Sequence, residues 1–152
     1  MAPKAERLAA LARCCDDLRA AGVRAWAGGD SPEVRAVAAA HADGWNGWGV
    51  EANAFAGLAD DVRRQADGRE VEVTWAGQVL VGRTRREADE KLARHGNRPR
   101  LVHGTLDDLR VHFEGLAGAG ATWAVCAPLD VGVDPGAVDL LAELADSIAT
   151  DQ

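Results

Sequence analysis

The sequence has few of the features that mark specialised classes of protein. It contains only three cysteines, and the adjacent pair Cys14 and Cys15 lacks the spaced Cys or His partners that a zinc site needs. Cys126 lies in an apolar run, which favours a small core residue over a nucleophile. No apolar run approaches the roughly 20 residues of a membrane span, and the first residues lack the layout of a signal peptide. We therefore predict no metal site, no membrane contact and a cytoplasmic location.

The chain also has no excess of positive charge. Its 152 residues carry a formal net charge of −7 at pH 7. This charge disfavours a nucleic-acid surface, because the phosphate backbone would be repelled. Apolar residues make up 47% of the chain and charged residues 27%, which is typical of a globular domain. At this length we expect one domain or part of one.

A short apolar stretch, two glycines and a helix start form the most informative part of the sequence. Val23–Ala27 predicts a strand that is covered on both faces, and Asp30 or Ser31 is the N-cap of the helix that follows. The first amides of a helix have no partner within it, and Gly28 and Gly29 let a ligand approach the backbone closely. The turn is therefore suited to bind an anion, most often a phosphate. The same pattern also turns the corner in many αβ proteins without any ligand.

A second strand is predicted at Gly44–Trp48. Asn46 and Trp48 have the same parity in this strand and point to one side, whereas Trp45 points to the other. If the sheet closes into a barrel, one of these sides is the lumen, where an Asn and a Trp near the mouth can flank a ring system. Packing alone remains an alternative interpretation for both tryptophans.

The remaining pattern alternates helices with strands. The predicted helices are Lys4–Ala21, Pro32–His41, Glu51–Gln65, Thr84–His95, Thr105–Gly118 and Asp134–Ala149. The predicted strands are Val23–Ala27, Gly44–Trp48, Arg69–Gly82 and Thr122–Ala127, and Asn97–Arg100 is a polar break. Four strands separated by helices are consistent with right-handed parallel crossovers.

Five stretches, in order, resemble the luciferase-like monooxygenase family: residues 25–32, 39–46, 79–82, 103–108 and 119–125. Members of that family are (βα)8 barrels that use FMN or the deazaflavin coenzyme F-420. The resemblance spans roughly residues 20–135 and implies an α/β fold, the C-terminal half of a TIM-type barrel with four βα units. It implies a single partial barrel domain over residues 1–152, with a leading helix in 1–22, strands five to eight in 23–128 and a C-terminal helix in 134–149.

The resemblance also implies where a coenzyme phosphate binds. The turn that contains Gly28 corresponds to the phosphate end, with the backbone amides of Gly29, Asp30 and Ser31 as donors and the Ser31 hydroxyl as a further contact. The carboxylate of Asp30 would oppose an anion, so we expect it to point away or to cap the helix.

On the same resemblance, Asn46 and Trp48 lie nearer the coenzyme ring. The stretch Asp43–Asn46 resembles the members that use F-420 slightly more than those that use FMN. No residue of the chain is assigned as a catalytic acid or base, because in the family much of the substrate and ring site comes from the other half of the barrel.

The implied function is that of an oxidoreductase that acts on a small molecule by hydride transfer or monooxygenation. A half-barrel leaves two strand edges and an apolar inner surface open. We therefore expect a homodimer or a second chain that completes the barrel. Two alternatives remain: an inactive truncated half-barrel that serves as a phosphate-ligand-binding or assembly module, and a different αβ domain with an open, uncurved sheet.

Overall fold

The computed structural model describes the backbone of residues 2–150 and the side chains of residues 2–148. Its helices are α1 (Lys4–Ala20), α2 (Pro32–His41), α3 (Ala52–Gln65), α4 (Arg85–His95), α5 (Leu106–Gly118) and α6 (Gly136–Thr150). Its strands are β1 (Trp26–Gly28), β2 (Gly44–Trp48), β3 (Glu72–Gly82), β4 (Val102–Thr105) and β5 (Ala124–Pro128). All six predicted helices are confirmed to within two residues at each end. Among the described helices, none has both the length and the apolar character that crossing a membrane requires.

All strand pairs in the sheet are parallel, and β3 lies at its centre. The first part of β3 bonds to β2, since the amide of Glu72 donates to Asp43 and the carbonyl of Ala76 accepts from Gly49. Val73 and Val79 have the opposite parity in β3 to Glu72 and Ala76. Their carbonyls accept hydrogen bonds from the segment that contains β5. Because alternate residues of a strand bond to opposite edges, β2 and β5 flank β3, and β1-β2-β3-β5 are four neighbouring strands.

The fifth strand, β4, differs from the four-strand prediction. It pairs only with residues 79–82 of β3, beyond the last residue of β3 that pairs with β2. β4 consists of one valine, one histidine, one glycine and one threonine. It therefore lacks the alternation of apolar and polar residues from which a strand is predicted. β4 therefore extends the carboxyl end of β3 and is an addition to the four predicted strands.

The predicted bounds of the first strand were also wrong. Pairing with β2 starts only at Trp26, because the amide of Ala25 donates to the Asp43 carboxylate at 2.9 Å instead of a strand carbonyl. The strand therefore begins at Trp26. It ends at Gly28 and is three residues long.

The core lies between the sheet and its helices. Trp45 packs against Phe55 of α3 with ring centroids 5.4 Å apart, and Trp75 packs against Phe113 of α5 at 5.7 Å. Both tryptophans are fully buried, so their side of the sheet faces the helices. Residues of the opposite parity, among them Asn46, face the other side, which we call the inner surface.

Gly77 belongs to this packing. The register between β3 and β5 continues unbroken through Gly77. The Trp75 ring covers the glycine, and a Cβ at this position would lie 2.4 Å from ring atoms. A glycine is thus required by the close approach of the indole.

A buried ion pair joins α4 to the loop after β5. Lys91 Nζ lies 2.8 Å from Oδ2 of Asp130 and 2.8 Å from Oδ2 of Asp134, and it donates to the Val81 carbonyl. The side chains of Lys91 and Asp130 are 5% and 0% exposed. Burial alone lowers the pKa of the Lys91 ammonium, but the two carboxylates outweigh it and the pKa is raised.

We predict that Lys91→Met lowers the free energy of unfolding by about 3 to 5 kcal/mol, because the carboxylate of Asp130 is left buried without its cation. Urea unfolding followed by circular dichroism measures the change. Lys91→Met combined with Asp130→Asn should cost less than the sum of the two single variants, because the pair is coupled.

The matched control is Arg86→Met on the same helix. The Arg86 side chain is 88% exposed and 3.9 Å from Glu90, so this change should cost less than about 0.5 kcal/mol. A Lys91→Met variant as stable as the Arg86 control would contradict the prediction.

Candidate functional site

The carboxyl ends of β1 and β2 bring the residues of the predicted site together. Gly28 is paired with Asn46, and the amide of Gly29 donates to the Asn46 carbonyl at 3.1 Å. Trp45 Nε1 donates to the Gly29 carbonyl at 2.7 Å, so the turn after β1 is held on both sides by β2. The turn predicted for phosphate and the strand predicted for the ring are therefore direct neighbours.

Ser31 is the N-cap of α2, which settles the choice between Asp30 and Ser31. Its hydroxyl accepts from the amide of Val34 at 3.4 Å, and its carbonyl accepts from the amide of Arg35 at 3.1 Å. The Ser31 hydroxyl therefore uses one of its acceptor sites to cap the helix. Pro32, the first residue of α2, has no amide to offer.

Two of the three amides that were expected to bind an anion donate to no other residue in the described part of the chain. The Gly29 amide is used by the Asn46 carbonyl and is not free for a ligand. The amide of Asp30 interacts with the carboxylate of the same residue, and the amide of Ser31 has no acceptor among the described residues. Binding of an anion by the turn would consequently depend on these two consecutive amides.

The Asp30 carboxylate does not cap the helix, because Ser31 is the N-cap, and its side chain is 41% exposed. It accepts from Arg100 Nη2 at 2.5 Å, and Arg100 Nη1 donates to the carbonyl of Trp48 at 3.0 Å. The Arg100 guanidinium holds the pKa of Asp30 below its ordinary value. One arginine thus links the ends of β1 and β2.

Sequence reasoning missed Arg100, which lies in the polar break between α4 and β4. It has a φ of +66°, and the neighbouring Gly49 has a φ of +59°. A Cβ at Gly49 would lie 2.6 Å from the Cβ of Arg100, so a glycine at the end of β2 lets the arginine approach. No local pattern signals this contact, because Arg100 and Asp30 are 70 residues apart.

On the inner surface, Thr74 fixes the side chain of Asn46. Asn46 Nδ2 donates to Thr74 Oγ1 at 2.9 Å, and that hydroxyl donates to the Trp45 carbonyl at 3.2 Å. Thr74 is fully buried. The amide group of Asn46 is therefore held by its nitrogen, which leaves Oδ1 as an acceptor toward the inner surface.

The two predicted tryptophans differ in their surroundings. Trp45 is fully buried against α3, so the packing interpretation holds for it. Trp48 is 46% exposed at the carboxyl end of β2. Of these two, only Trp48 is accessible to a ligand.

Aromatic and polar contacts lie at the amino end of the inner surface. Trp26 and Trp123 meet edge to face with ring centroids 5.7 Å apart. Glu72 accepts from Trp123 Nε1 at 2.9 Å and pairs with Arg24 at 3.1 Å. These side chains are therefore at the opposite end of the strands from the predicted site.

Cys126 and His112 lie on the helix side of the sheet. Cys126 packs against the core, and burial raises the pKa of its thiol to about 11, so it is not a thiolate at neutral pH. His112 meets Trp75 edge to face, and burial lowers the pKa of its imidazole. Neither side chain belongs to the site at the strand ends.

The sequence matches the model of one protein family, described as luciferase-like monooxygenase, over residues 6–126. No curated protein matches the chain. Similar solved structures include a long-chain alkane monooxygenase, with 21% identity, a TM-score of 0.62 and coverage of 80% of this chain and 41% of that one.

Two further similar structures are described by their coenzymes. A coenzyme F-420 dependent tetrahydromethanopterin reductase from Methanopyrus kandleri has 15% identity, a TM-score of 0.65 and coverage of 82% of this chain and 50% of that one. A riboflavin lyase with modified FMN and riboflavin has 17% identity, a TM-score of 0.66 and coverage of 83% and 42%. The TM-scores show the shared fold, and the chain spans half or less of each of these three structures. The fold prediction of a partial barrel is confirmed.

The ion pair between Asp30 and Arg100 predicts how the Asp30 carboxyl titrates. In the wild-type protein the Asp30 carboxyl should titrate below its ordinary value, and in Arg100→Gln its pKa should rise toward that value. The stability that Asp30 contributes is present above its unfolded-state pKa, roughly 4, and is lost as the pH falls through the lower folded-state pKa. NMR titration of the side-chain carboxyl carbon measures both values.

Arg98→Gln is the control for this titration, since Arg98 lies in the same connection and its nearest recorded partner is the His95 carbonyl at 3.5 Å. This variant should leave the titration of Asp30 unchanged. If Asp30 titrates identically in the Arg100→Gln variant and the wild type, the link does not persist in solution.

Proposed function

The chain belongs to the luciferase-like monooxygenase family, and on that premise we propose that it is the phosphate-binding part of an oxidoreductase that uses coenzyme F-420 or FMN. The observation that carries the proposal is the placement of two turn amides that donate to no other described residue beside an exposed indole at the ends of β1 and β2. Two similar structures are described with these coenzymes, which supports the coenzyme class. The stretch Asp43–Asn46 favours F-420 over FMN.

We assign the phosphate of the coenzyme to the turn after β1. The amides of Asp30 and Ser31 are the donors, at the positive end of α2. Gly28 is exposed and has no side chain, so it leaves room for the phosphate oxygens. Gly29 holds the turn in place through both of its bonds to β2.

We assign the ring of the coenzyme to the inner surface beside β2. Asn46 Oδ1 is the acceptor for a ring N–H, and its orientation is fixed by Thr74. The indole of Trp48 covers a face or edge of the ring, where aromatic contacts are favourable.

The bound coenzyme supplies the hydride or the oxygen chemistry, and the residues of this chain bind and orient it. The residues that we assign at the strand ends hold the coenzyme, and none of them is a candidate acid or base. In the full site, the substrate, a small molecule, would be bound largely by the other half of the barrel. This chain on its own would be a binding unit.

We further propose that a second copy of the chain, or a separate chain, completes the barrel. The four neighbouring strands leave β1 and β5 as the outer edges of the sheet. Trp48, Trp123 and Val125 are between 43% and 46% exposed, and they lie on the inner surface or at its carboxyl end. Such an exposed apolar surface with open parallel edges favours association.

Coenzyme binding tests the proposed function directly. We expect F-420 or FMN to quench the tryptophan fluorescence of the wild-type chain, and Trp48→Leu to weaken binding by about three- to tenfold through loss of the aromatic contact. Val111→Ala, which changes an exposed apolar side chain on the outer face of α5, should have no effect.

The outcomes separate the alternatives. If neither coenzyme binds at millimolar concentration, the proposed function is wrong. Binding of coenzymes and other phosphate compounds, without any redox turnover when the barrel is complete, would instead support the non-catalytic phosphate-binding module.

Completion of the barrel predicts self-association of the isolated chain. Light scattering coupled to gel filtration should give twice the monomer mass of 16.0 kDa. Val125→Asp should restore the monomer, because it places a charge on the inner surface beside the open edge of β5. Val111→Asp is the control and should leave the mass unchanged. A wild-type chain that stays monomeric at high micromolar concentration would exclude the homodimer.

A further inference from the structure

We propose that Arg100 is the cation that recognises the phosphate of the ligand at the carboxyl ends of β1 and β2, and that Asp30 is the residue that positions its guanidinium. The inference rests on the proposed function and adds a specificity-determining residue to the same site. It concerns a residue outside the motifs that resemble the family, on the connection between α4 and β4.

The hydrogen-bonding capacity of Arg100 is only partly used. A guanidinium carries five N–H donors. The structure gives two of its donor contacts, one to the Trp48 carbonyl and one to the Asp30 carboxylate. The Arg100 side chain is 50% exposed, so the remaining donors are accessible to a ligand.

Arg100 also lies close to the two turn amides. Its partner atom, Asp30 Oδ2, belongs to a residue whose amide donates to no other described residue, and the same holds for the amide of Ser31, the next in the chain. A phosphate bound by these two amides would lie within reach of the guanidinium. Arginine is suited to this role, because its planar fork matches two phosphate oxygens at once.

The charges around the turn make such a cation necessary. Asp30 brings a negative charge to the turn, and without a counter-charge it would repel a phosphate. Two further cations near the start of α2 are already paired: Arg35 is bound to the Asp61 carboxylate at 2.9 Å and to the Asp30 carbonyl, and Lys4 is bound to the Glu33 carboxylate at 2.7 Å. Arg100 is therefore the charge that offsets Asp30 on the side of the turn facing β2.

The backbone holds Arg100 in place for this purpose. Its contact with Gly49 and its bond to the Trp48 carbonyl fix the guanidinium relative to β2 as well as β1. The ammonium of a lysine has no planar fork, so it could not bridge both anchors and hold a phosphate in the same way. Arg100→Lys should therefore restore the charge without restoring full affinity.

The test compares FMN with riboflavin, which has the same ring without the phosphate. Affinities are measured by fluorescence titration of the wild-type chain, Arg100→Gln, Arg100→Lys and the control Arg98→Gln. We expect the wild type to bind FMN more tightly than riboflavin, and Arg100→Gln to lose FMN affinity by about tenfold or more while its riboflavin affinity is unchanged. The FMN affinity of Arg100→Lys should lie between those of the wild type and Arg100→Gln, and the FMN affinity of Arg98→Gln should match that of the wild type.

A second measurement does not depend on the ring. Inorganic phosphate should shift the backbone amide resonances of Asp30 and Ser31 in NMR spectra of the wild type, and higher concentrations should be needed in Arg100→Gln. Thermal unfolding of each variant shows whether it is folded, and Arg100→Lys carries the test if Arg100→Gln is not.

The outcomes distinguish this inference from the proposed function. If the wild type prefers FMN to riboflavin and Arg100→Gln retains that preference in full, the role of Arg100 is wrong while the proposed function stands. If Arg100→Gln loses affinity for riboflavin and FMN equally, Arg100 only supports the fold of the site. If the wild type binds neither FMN nor riboflavin and phosphate shifts no amide, the role of Arg100 is wrong, and the proposed function fails with it only if F-420 does not bind either.

Discussion

The pairing of the first two strands at their carboxyl ends is the constraint on which the site depends. The amide of Gly29 donates to the Asn46 carbonyl, and the indole of Trp45 donates back to the Gly29 carbonyl. These two bonds fix the turn after β1 against β2, so α2 starts at a defined position and the amides that follow Gly29 project from the strand ends. The buried position of Trp45 against α3 supports this arrangement from behind, because packing leaves the indole no alternative orientation. Core packing and site geometry are consequently linked through a single side chain.

The parts of the fold that the sequence predicted are those set by local chemistry. Ser31 and Thr84 accept from the amides three residues ahead of them, and Thr105 and Asp108 form a reciprocal capping box, so the helix starts could be located from neighbouring residues alone. The parity of Asn46 and Trp48 follows from the two-residue period of a strand. The parallel order of the four strands follows from the helices between them.

The parts that the sequence did not predict depend on contacts between distant segments. β4 has no periodicity of its own and exists because β3 extends past the end of β2 and offers an edge. The partner of Asp30 is Arg100, which approaches only because Gly49 leaves space for it at the end of another strand. The use of the Gly29 amide by Asn46 is of the same kind, since it depends on the register between two strands and not on either stretch alone. The charge of the chain did not indicate this contact either, because a net charge of −7 does not reveal that Arg100 lies beside the turn after β1.

The two surfaces of the sheet differ in how complete they are, and this difference bears on function. The helix side contains the fully buried aromatic residues and the buried Lys91 ion pair, so the four βα units have a core of their own. The inner surface instead exposes Trp123 and Val125 and leaves Asn46 Oδ1 as a free acceptor. The proposed phosphate contacts come entirely from the helix-backed ends of β1 and β2 and from Arg100, and all of them are present within this chain. The proposed ring contacts lie on the surface that a second half would close. Affinity for the phosphate can therefore exist before the barrel is complete, whereas a dry, low-dielectric environment for the ring requires closure, since water must be excluded from both faces of the ring.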